Sequence, residues 1–314
     1  MIWQKKGLIF NPKDNNSGWI NNYAAIPVCD LIDEKKLRIY FSTRDEKGRS
    51  RPTFIEVDPK EPSTILYIQD KPILELGHQG TFDDNGIMPM SIVSIGNKKF
   101  LYYIGWNPQV TVSYRLGIGL AISEDDGKTF KKYFDGPILD RDKEEPYFNT
   151  APFVIYENGL WRMWYVSCTG WKTINERAEP FYLVRYAESA DGINWIRKIT
   201  ECIGYDDFTQ GIAKPCVFKE NSKYKMFYSY RNAVDYRTDA NMSYRLGYAE
   251  SDDGIKWQRK DDEMTHFRSE TESWETVMQE YCSTYVFDGI RYLIYNGNGF
   301  GETGFGYAVL DATI

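Results

Sequence analysis

Acidic side chains stand at intervals just before short apolar runs of the chain, and these residues are the best placed to do chemistry. The candidates are Asp84, Glu145, Asp207 and Glu280. Two carboxyl groups can divide the roles of proton donor and proton acceptor when their surroundings push their pKa values apart. The sequence therefore indicates acid–base chemistry.

Each of these acids also has a structural interpretation. Residues 83–86, Asp-Asp-Asn-Gly, form a favourable turn sequence, because Asx side chains bond their own backbone and glycine accepts positive φ. Glu145 precedes a proline, and a solvated loop acid is the interpretation we favour there. Asp207 follows another aspartate, so at most one of the two can point inward. Glu280 has no turn residue beside it, which favours a buried carboxylate or one that faces a site.

The elements that must position these residues follow from an internal repeat. The pattern Tyr-Ala-Glu-Ser-x-Asp-Gly-Ile-x-Trp begins at residues 186 and 248, and a third, more divergent copy begins at residue 120. Alternating apolar residues lead to an Asp-Gly turn, and an aromatic residue starts the returning strand. Each copy is therefore predicted to be a hairpin that stabilises the fold, and repeats of this length decide the architecture.

A second marker has nearly the same period. Pro27, Pro89, Pro152 and Pro215 are 62, 63 and 63 residues apart, and each precedes an apolar run; Thr284 continues the series without proline. Proline at the first residue of a strand loses no ladder hydrogen bond. Five copies of strand, strand, strand and outer hairpin predict an all-β, five-bladed β-propeller with four-stranded blades around a central channel.

Composition narrows the function classes. The 314 residues carry a net charge of −7, which gives no basic footprint for nucleic acid. No low-complexity tract separates the repeats, so residues 1–314 are predicted to form a single domain. Five cysteines without a C-x-x-C pair, no apolar leader and no spanning run predict a cytoplasmic protein without a membrane span. We expect no cofactor and no zinc or iron, although a calcium or sodium ion in the channel is possible.

The starts of the inner strands of a propeller face one mouth of the channel, and here the residues at these starts differ between the repeats. Arg44 and Arg231 follow equivalent second strands, where a guanidinium can hold a carboxylate or phosphate, or can form a surface ion pair instead. Two tryptophans at similar places can stack on a sugar ring. The predicted substrate-binding residues are Asn22, Arg44, Asp83, Trp106, Asn149, Trp171, Gln210 and Arg231.

Two motifs carry a family resemblance. The run Gly-x-x-Gly-x-Phe-Asp at residues 77–83 and the Ser-x-Asp-Gly-x-x-Trp hairpins resemble the five-bladed propeller glycoside hydrolases of families 43 and 32 and the phosphorylase-containing family 130. The resemblance covers residues 21–310 and implies an enzyme acting on a small carbohydrate or glycoconjugate in the channel mouth. Residues 123–130 also fit the Asp box of sialidases, which however have six blades.

The family 43 and 32 pattern places three carboxylates at inner-strand starts. Asp84, or its neighbour Asp83, matches the second of these positions, whereas Asn22 stands where the first would be. Glu145 lies two residues further from its strand than the pattern implies, with Asn149 nearer. The resemblance thus leaves Asp84 and one later acid as the preferred pair.

That later acid is Glu280, and we expect it to face Asp84 across the channel mouth. Hydrolysis needs two carboxyl groups, whereas a phosphorylase needs one because phosphate is the nucleophile. Three functions therefore stay open: a glycoside hydrolase or phosphorylase, a carbohydrate-binding propeller without catalysis, and a protein-interaction platform, which the polar, non-repeating mouth disfavours.

Overall fold

The chain folds almost entirely into β-strands. The computed structural model describes residues 1–15, 17–207, 209–269 and 272–310. Its helical segments are short: a 3-10 turn at Asp261–Met264, α1 at Thr265–Ser269 and α2 at Asn298–Gly301. The strands are β1 (Trp3–Phe10), β2 (Ala25–Asp33), β3 (Lys36–Arg44), β4 (Ser50–Val57), β5 (Ile65–Ile68), β6 (Ile87–Ile95), β7 (Lys98–Pro108), β8 (Tyr114–Ser123), β9 (Lys131–Lys132), β10 (Asn149–Glu157), β11 (Leu160–Ile174), β12 (Arg177–Ser189), β13 (Ile196–Ile203), β14 (Gly211–Glu220), β15 (Lys223–Arg231), β16 (Arg245–Ser251), β17 (Gln258–Arg259), β18 (Glu280–Phe287), β19 (Ile290–Asn296) and β20 (Phe305–Leu310).

The strands form antiparallel sheets of consecutive elements. Strands β2–β5 and β6–β9 each make a four-stranded sheet, and β1 joins β18–β20 in a third. Strands β10–β13 and β14–β17 belong to one eight-stranded sheet, whose two halves meet in a single parallel pairing of Tyr182 with Gly211. These sheets confirm the predicted all-β class. The count of five blades and the single domain stay predictions.

The marker prolines take a different place from the predicted one. The strands β2, β6, β10, β14 and β18 begin two to four residues before the predicted starts, and each has a register shift near its marker. Ile26, Ala151 and Lys214, which directly precede marker prolines, have positive φ values of 62°, 46° and 43°. Proline has no N–H to donate, and a bulge leaves one residue out of the ladder. The prolines therefore stand in bulges and do not open the strands.

The repeated hairpins tie neighbouring sheets together. In the hairpin after β12, Ser189 Oγ donates to Asp191 Oδ1 at 2.8 Å and accepts the Gly192 N–H at 2.9 Å, which closes the turn at a glycine with a φ of 75°. The carbonyl of that glycine then accepts a side-chain hydrogen bond from the preceding sheet. The equivalent bonds are Tyr40 to Gly127 (3.0 Å), Tyr102 to Gly192 (2.8 Å) and Trp164 to Gly254 (2.7 Å). The hairpins thus hold the fold, as their sequence predicts.

Two further findings concern the chain as a whole. All five cysteines are free thiols, and four of them are buried. Across the described ranges, every helix is too short or too polar to cross a membrane.

Candidate functional site

A central cavity of about 270 Å³ opens where the five bulged strands begin. Strands β2, β6, β10, β14 and β18 each contribute a lining residue from their bulge region: Ile26, Met88, Ala151, Lys214 and Tyr281. A bulge interrupts the alternation of side chains along its strand. The five bulges therefore direct these side chains into the same cavity.

Nine aromatic side chains form a large part of the described cavity lining. They come from loops and strands on all sides, and their faces offer stacking surfaces that suit the apolar face of a sugar ring. Trp106 and Tyr114 lie with ring centroids 6.1 Å apart, and Tyr244 and Tyr281 with centroids 5.5 Å apart. The lining aromatics include Tyr23, Trp106, Tyr114, Phe148, Tyr182, Tyr236, Tyr244, Tyr281 and Phe300.

The charged groups of the lining are cations. Arg44, Lys214 and Arg237 line the cavity, and the described lining residues include no aspartate or glutamate. Arg237 is neutralised by an ion pair with Glu179. The Arg44 guanidinium stacks on the ring of Tyr23 at 3.8 Å and has no ion pair with a described residue. The cavity lining is therefore positively charged, although the net charge of the whole protein is negative.

Lys214 lies at the base of the cavity. Its side chain is buried, and its Nζ donates a hydrogen bond of 2.6 Å to the carbonyl of Cys282. Burial lowers the pKa of Lys214, while the nearby thiols of Cys216 and Cys282 act in the opposite direction. A buried amine without a carboxylate partner is stabilised by any anion that enters the cavity.

Glu280 is a buried carboxyl group directly behind the wall. It is fully buried, and neither carboxyl oxygen has a hydrogen bond of good geometry with a described residue. Burial raises the pKa of Glu280 well above its ordinary value, and a contact with Tyr281 only partly offsets this. Burial therefore favours the protonated form of Glu280, and a protonated carboxyl group can act as a proton source. Burial raises the pKa values of the lining phenols of Tyr244 and Tyr281, and the nearby Glu280 acts in the same direction.

Arg231 is also placed behind the wall and does not line the cavity. Its guanidinium is buried, and its Nε donates to the hydroxyls of Tyr182 at 3.1 Å and Tyr244 at 3.3 Å. Tyr236 stacks on it with a centroid distance of 4.0 Å, and Nη2 donates to the carbonyl of Pro180 at 2.9 Å. The predicted direct contact with an anion is replaced in this structure by contacts with lining phenols.

Two predicted site acids, Asp83 and Glu145, take part in a repeated buried unit. In this unit a carboxylate accepts a hydrogen bond from a tyrosine of the second strand and pairs with a cation of the outer strand. Asp83 accepts from Tyr103 at 2.9 Å and pairs with Lys132 at 2.7 Å. The other units are Glu145 with Tyr165 and Arg197, Asp261 with Tyr228 and Arg259, and Glu275 with Tyr295 and Lys5. The contacts of both predicted acids are therefore those of structural groups.

The remaining predicted acids lie in loops away from the cavity lining. Asp84 is half-buried and accepts hydrogen bonds from the N–H of Gly80 at 2.7 Å and from the side chain of Asn107. Asp207 is exposed, and its carbonyl accepts from Gln210. Neither Asp84 nor Glu280 is among the described lining residues of the cavity, and the pairing of these two acids across the channel mouth stays a prediction.

The predicted amides support the loops around the cavity. Asn22 accepts a hydrogen bond of 3.3 Å from the backbone N–H of Arg44 and so helps to place that residue. Gln210 binds backbone groups on both sides, with its Oε1 accepting from Ala233 at 2.8 Å. Asn149 is buried and donates to Glu145 at 3.1 Å, while its Oδ1 has no partner among the described residues.

The two predicted tryptophans both belong to the aromatic wall. Trp106 lines the cavity directly. Trp171 packs behind the lining, with its ring 5.3 Å from Tyr114 and 5.8 Å from Phe148. Trp106 is thus the better placed of the two to stack on a ligand.

Sequence reasoning missed the groups that give the cavity its character, namely Lys214 and the lining tyrosines. A signal for Lys214 was present, since the residues before the other marker prolines are apolar: Ile26, Met88 and Ala151. Lys214 is thus a charged residue at a position where the other proline-marked repeats have apolar ones, and a purely structural role would favour an apolar residue there too. For Tyr182, on β12, and Tyr244, directly before β16, no comparable break marks the sequence.

Solved structures with a similar fold include glycoside hydrolases. A protein described as a glycoside hydrolase covers 99% of this chain and 92% of its own at a TM-score of 0.74, with 17% sequence identity. A thermostable family-43 glycoside hydrolase matches 93% of this chain and 92% of its own at 0.63, with 16% identity. A member of the GH130 family of mannoside phosphorylases, which contains hydrolases that target β-1,2 mannosidic linkages in Candida mannan, matches 100% of this chain and 94% of its own at 0.67, with 14% identity. The molecule has the fold of this superfamily, as the sequence resemblance implied.

Relatives at higher sequence identity define the family more narrowly. Uncharacterized protein MT1551 of Mycobacterium tuberculosis (strain CDC 1551 / Oshkosh) is 37% identical over 99% of this chain and 100% of its own length. Uncharacterized protein Rv1502 of strain ATCC 25618 / H37Rv is 36% identical over the same shares. No known family model matches the sequence. The chain belongs to the family of these two mycobacterial proteins.

Proposed function

We propose that the protein is a glycoside-active enzyme whose central cavity binds a small carbohydrate or glycoconjugate, and that it cleaves the glycosidic bond by phosphorolysis. The observation that carries this proposal is the lining itself: aromatic surfaces and cations, without a carboxylate among its described residues. An anionic co-substrate suits such a lining better than a water molecule that a lining carboxylate would have to activate.

The protein groups have distinct roles in this reaction. Arg44 and Lys214 hold phosphate, and the aromatic wall stacks against the sugar. A phosphate oxygen attacks the anomeric carbon while the bond from that carbon to the glycosidic oxygen breaks. The leaving oxygen needs one proton, and Glu280, which burial keeps protonated, supplies it. The products are a sugar phosphate and a sugar or alcohol with a new hydroxyl group.

Hydrolysis and non-catalytic binding are the competing functions. Hydrolysis by the predicted Asp84–Glu280 pair requires both carboxyl groups to flank one bond, with separations of roughly 5 to 9.5 Å in glycosidases. Asp84 is bound to its own loop and lies outside the described lining, which disfavours this mechanism. A cavity that binds sugar without cleaving it remains the third function, and the same assay decides among the three.

The assay follows disaccharides and aryl glycosides of glucose, galactose and mannose with and without inorganic phosphate. Phosphorolysis predicts phosphate-dependent turnover and a new sugar-phosphate signal in phosphorus NMR. Lys214→Met should raise the phosphate concentration that gives half-maximal turnover. Lys198→Met, which removes a surface ion pair with Glu188, should leave it unchanged. Release of reducing sugar at equal rates without phosphate would instead identify a hydrolase. Sugar binding without any turnover would identify a binding protein.

A cytoplasmic location is a separate part of the proposal. It rests on the five free thiols, which suit a reducing compartment.

A further inference from the structure

Arg231 presents a charge that its surroundings do not balance. The guanidinium is 1% exposed, and within the described part of the chain no carboxylate pairs with it. Its hydrogen bonds go to two phenols and to backbone carbonyls, and Tyr236 covers one face. An arginine stays charged in such a place, so the charge acts on whatever its donors contact, here the hydroxyls of Tyr182 and Tyr244.

These two hydroxyls also bond each other in a short contact. Each phenol has one hydrogen, and only one of the two hydrogens can lie between the oxygen atoms. The Nε–H of Arg231 points at both oxygens and so favours an arrangement in which the second hydroxyl hydrogen is directed to another acceptor. Since Tyr182 and Tyr244 both line the cavity, a bound ligand is the acceptor available to that hydrogen.

Glu280 lies close enough to Tyr244 to affect its pKa. Burial raises the pKa of Tyr244 well above its ordinary value, so the phenol is protonated at rest, while Arg231 acts to lower it. Tyr281 contacts Glu280 and Tyr244. Burial is the main cause of the raised pKa of Tyr281, and both neighbours raise it further. The carboxyl group itself does not line the cavity. Its proton therefore has to reach a substrate through a phenol that does.

From this arrangement we infer that Tyr244, hydrogen-bonded to Tyr182 and held by Arg231, is the residue that hands the proton to the leaving glycosidic oxygen. The inference rests on the proposed glycoside cleavage. As the glycosidic bond breaks, the leaving oxygen takes the Tyr244 proton, and the phenol oxygen takes a proton from Glu280 through Tyr281. The carboxyl oxygens have no hydrogen bond of good geometry with a described residue in the resting structure, so this relay requires the Tyr281 side chain to reorient when substrate binds. Arg231 and the Tyr182 hydroxyl stabilise the negative charge that develops on the phenol oxygen. Glu280 regains its proton from solvent after the products leave.

The experiment compares wild type and Tyr244→Phe on glycosides with good and poor leaving groups. The probes are 2,4-dinitrophenyl and phenyl glycosides of glucose, galactose and mannose, with inorganic phosphate present. We expect kcat of Tyr244→Phe to fall about 100-fold or more on phenyl glycosides, the usual loss on removing a general acid. On 2,4-dinitrophenyl glycosides, whose leaving group needs no proton, kcat should stay within a few-fold of wild type. A merely structural role would lower both alike.

Tyr186→Phe is the matched control. Tyr186 is equally buried, but its hydroxyl donates to Glu188 at 3.1 Å near the outer hairpin and does not line the cavity. This variant should keep the wild-type ratio between the two leaving groups, and its unfolding midpoint reports the cost of losing a buried hydroxyl. Tyr182→Phe should give a smaller, leaving-group-dependent loss, because Tyr244 then loses only its partner.

Failure of this inference can be distinguished from failure of the proposed function. If the wild type cleaves glycosides and Tyr244→Phe keeps full activity on phenyl glycosides, the inference is wrong and the proposed function stands. An equal loss on both leaving groups also overturns it, because it would show a positioning or folding effect. If the wild type cleaves no glycoside with or without phosphate, both fall together.

Discussion

Replacing Glu280 with glutamine should change how stability depends on pH. The carboxyl is fully buried and its pKa is raised well above the ordinary value by burial. In the unfolded chain a glutamate ionises near pH ~4.3. Above that pH the unfolded state is stabilised by losing a proton that the folded state keeps. The contribution of Glu280 is therefore fully present below the unfolded pKa and is lost as pH rises toward the folded pKa.

The magnitude follows from linkage of one proton. While Glu280 stays protonated in the folded state, the free energy of unfolding of the wild type should fall relative to Glu280→Gln by about 1.4 kcal/mol per pH unit. Over two pH units this is about 2.7 kcal/mol, a large part of the stability of a typical domain. The amide is uncharged, so any packing cost of the substitution is the same at every pH.

The assay is urea unfolding of both proteins at several pH values between about 5.5 and 7.5, with the difference in free energy plotted against pH. Glu124→Gln is a control that should give a difference independent of pH in this range. Glu124 is exposed, and its hydrogen bond to Lys98 lowers its pKa below the ordinary value, so its contribution is lost only at pH values below this range. If the difference in free energy of unfolding between wild type and Glu280→Gln does not change with pH, Glu280 is not a buried, protonated carboxyl group. The proposed mechanism would then lose its proton source.

Three other substitutions test the fold and the cavity. Tyr103→Phe removes the hydroxyl that donates to buried Asp83 and should lower the free energy of unfolding by about 1–3 kcal/mol in urea, with unchanged glycoside kinetics; a change in kcat would contradict a purely structural role. Lys214→Met should weaken phosphate binding roughly 10- to 100-fold by calorimetry, the value of a charge-assisted hydrogen bond, and an unchanged affinity would place phosphate elsewhere. Gly119→Ala should cost about 1–3 kcal/mol in thermal or urea unfolding, because the new Cβ would come within 2.2 Å of the Tyr103 ring; wild-type stability would show that the ring can move aside.

The repeat determined most of the fold by itself. The Asp-Gly hairpins at Asp125, Asp191 and Asp253 all close through the local hydrogen bonds that their sequence predicts. Such bonds join residues a few positions apart, so local sequence suffices to specify them. The four marker prolines and Thr284 indicated the right five strands. They did not indicate the bulges, because a bulge depends on pairing with the neighbouring strand, which the local sequence does not contain.

Only the tertiary structure decides whether each acid is paired with a cation or buried without a partner. Asp83 and Glu145 precede β6 and β10, whereas Glu280 is the first residue of β18. The first two bind a tyrosine and a cation from distant strands, and Glu280 has no hydrogen bond of good geometry with a described residue. Whether a carboxyl is neutralised by a partner or by a proton depends on groups that are far away in sequence and on the water that packing removes. For the same reason, Tyr244 acquires its place between Arg231 and Glu280 only when the sheets come together.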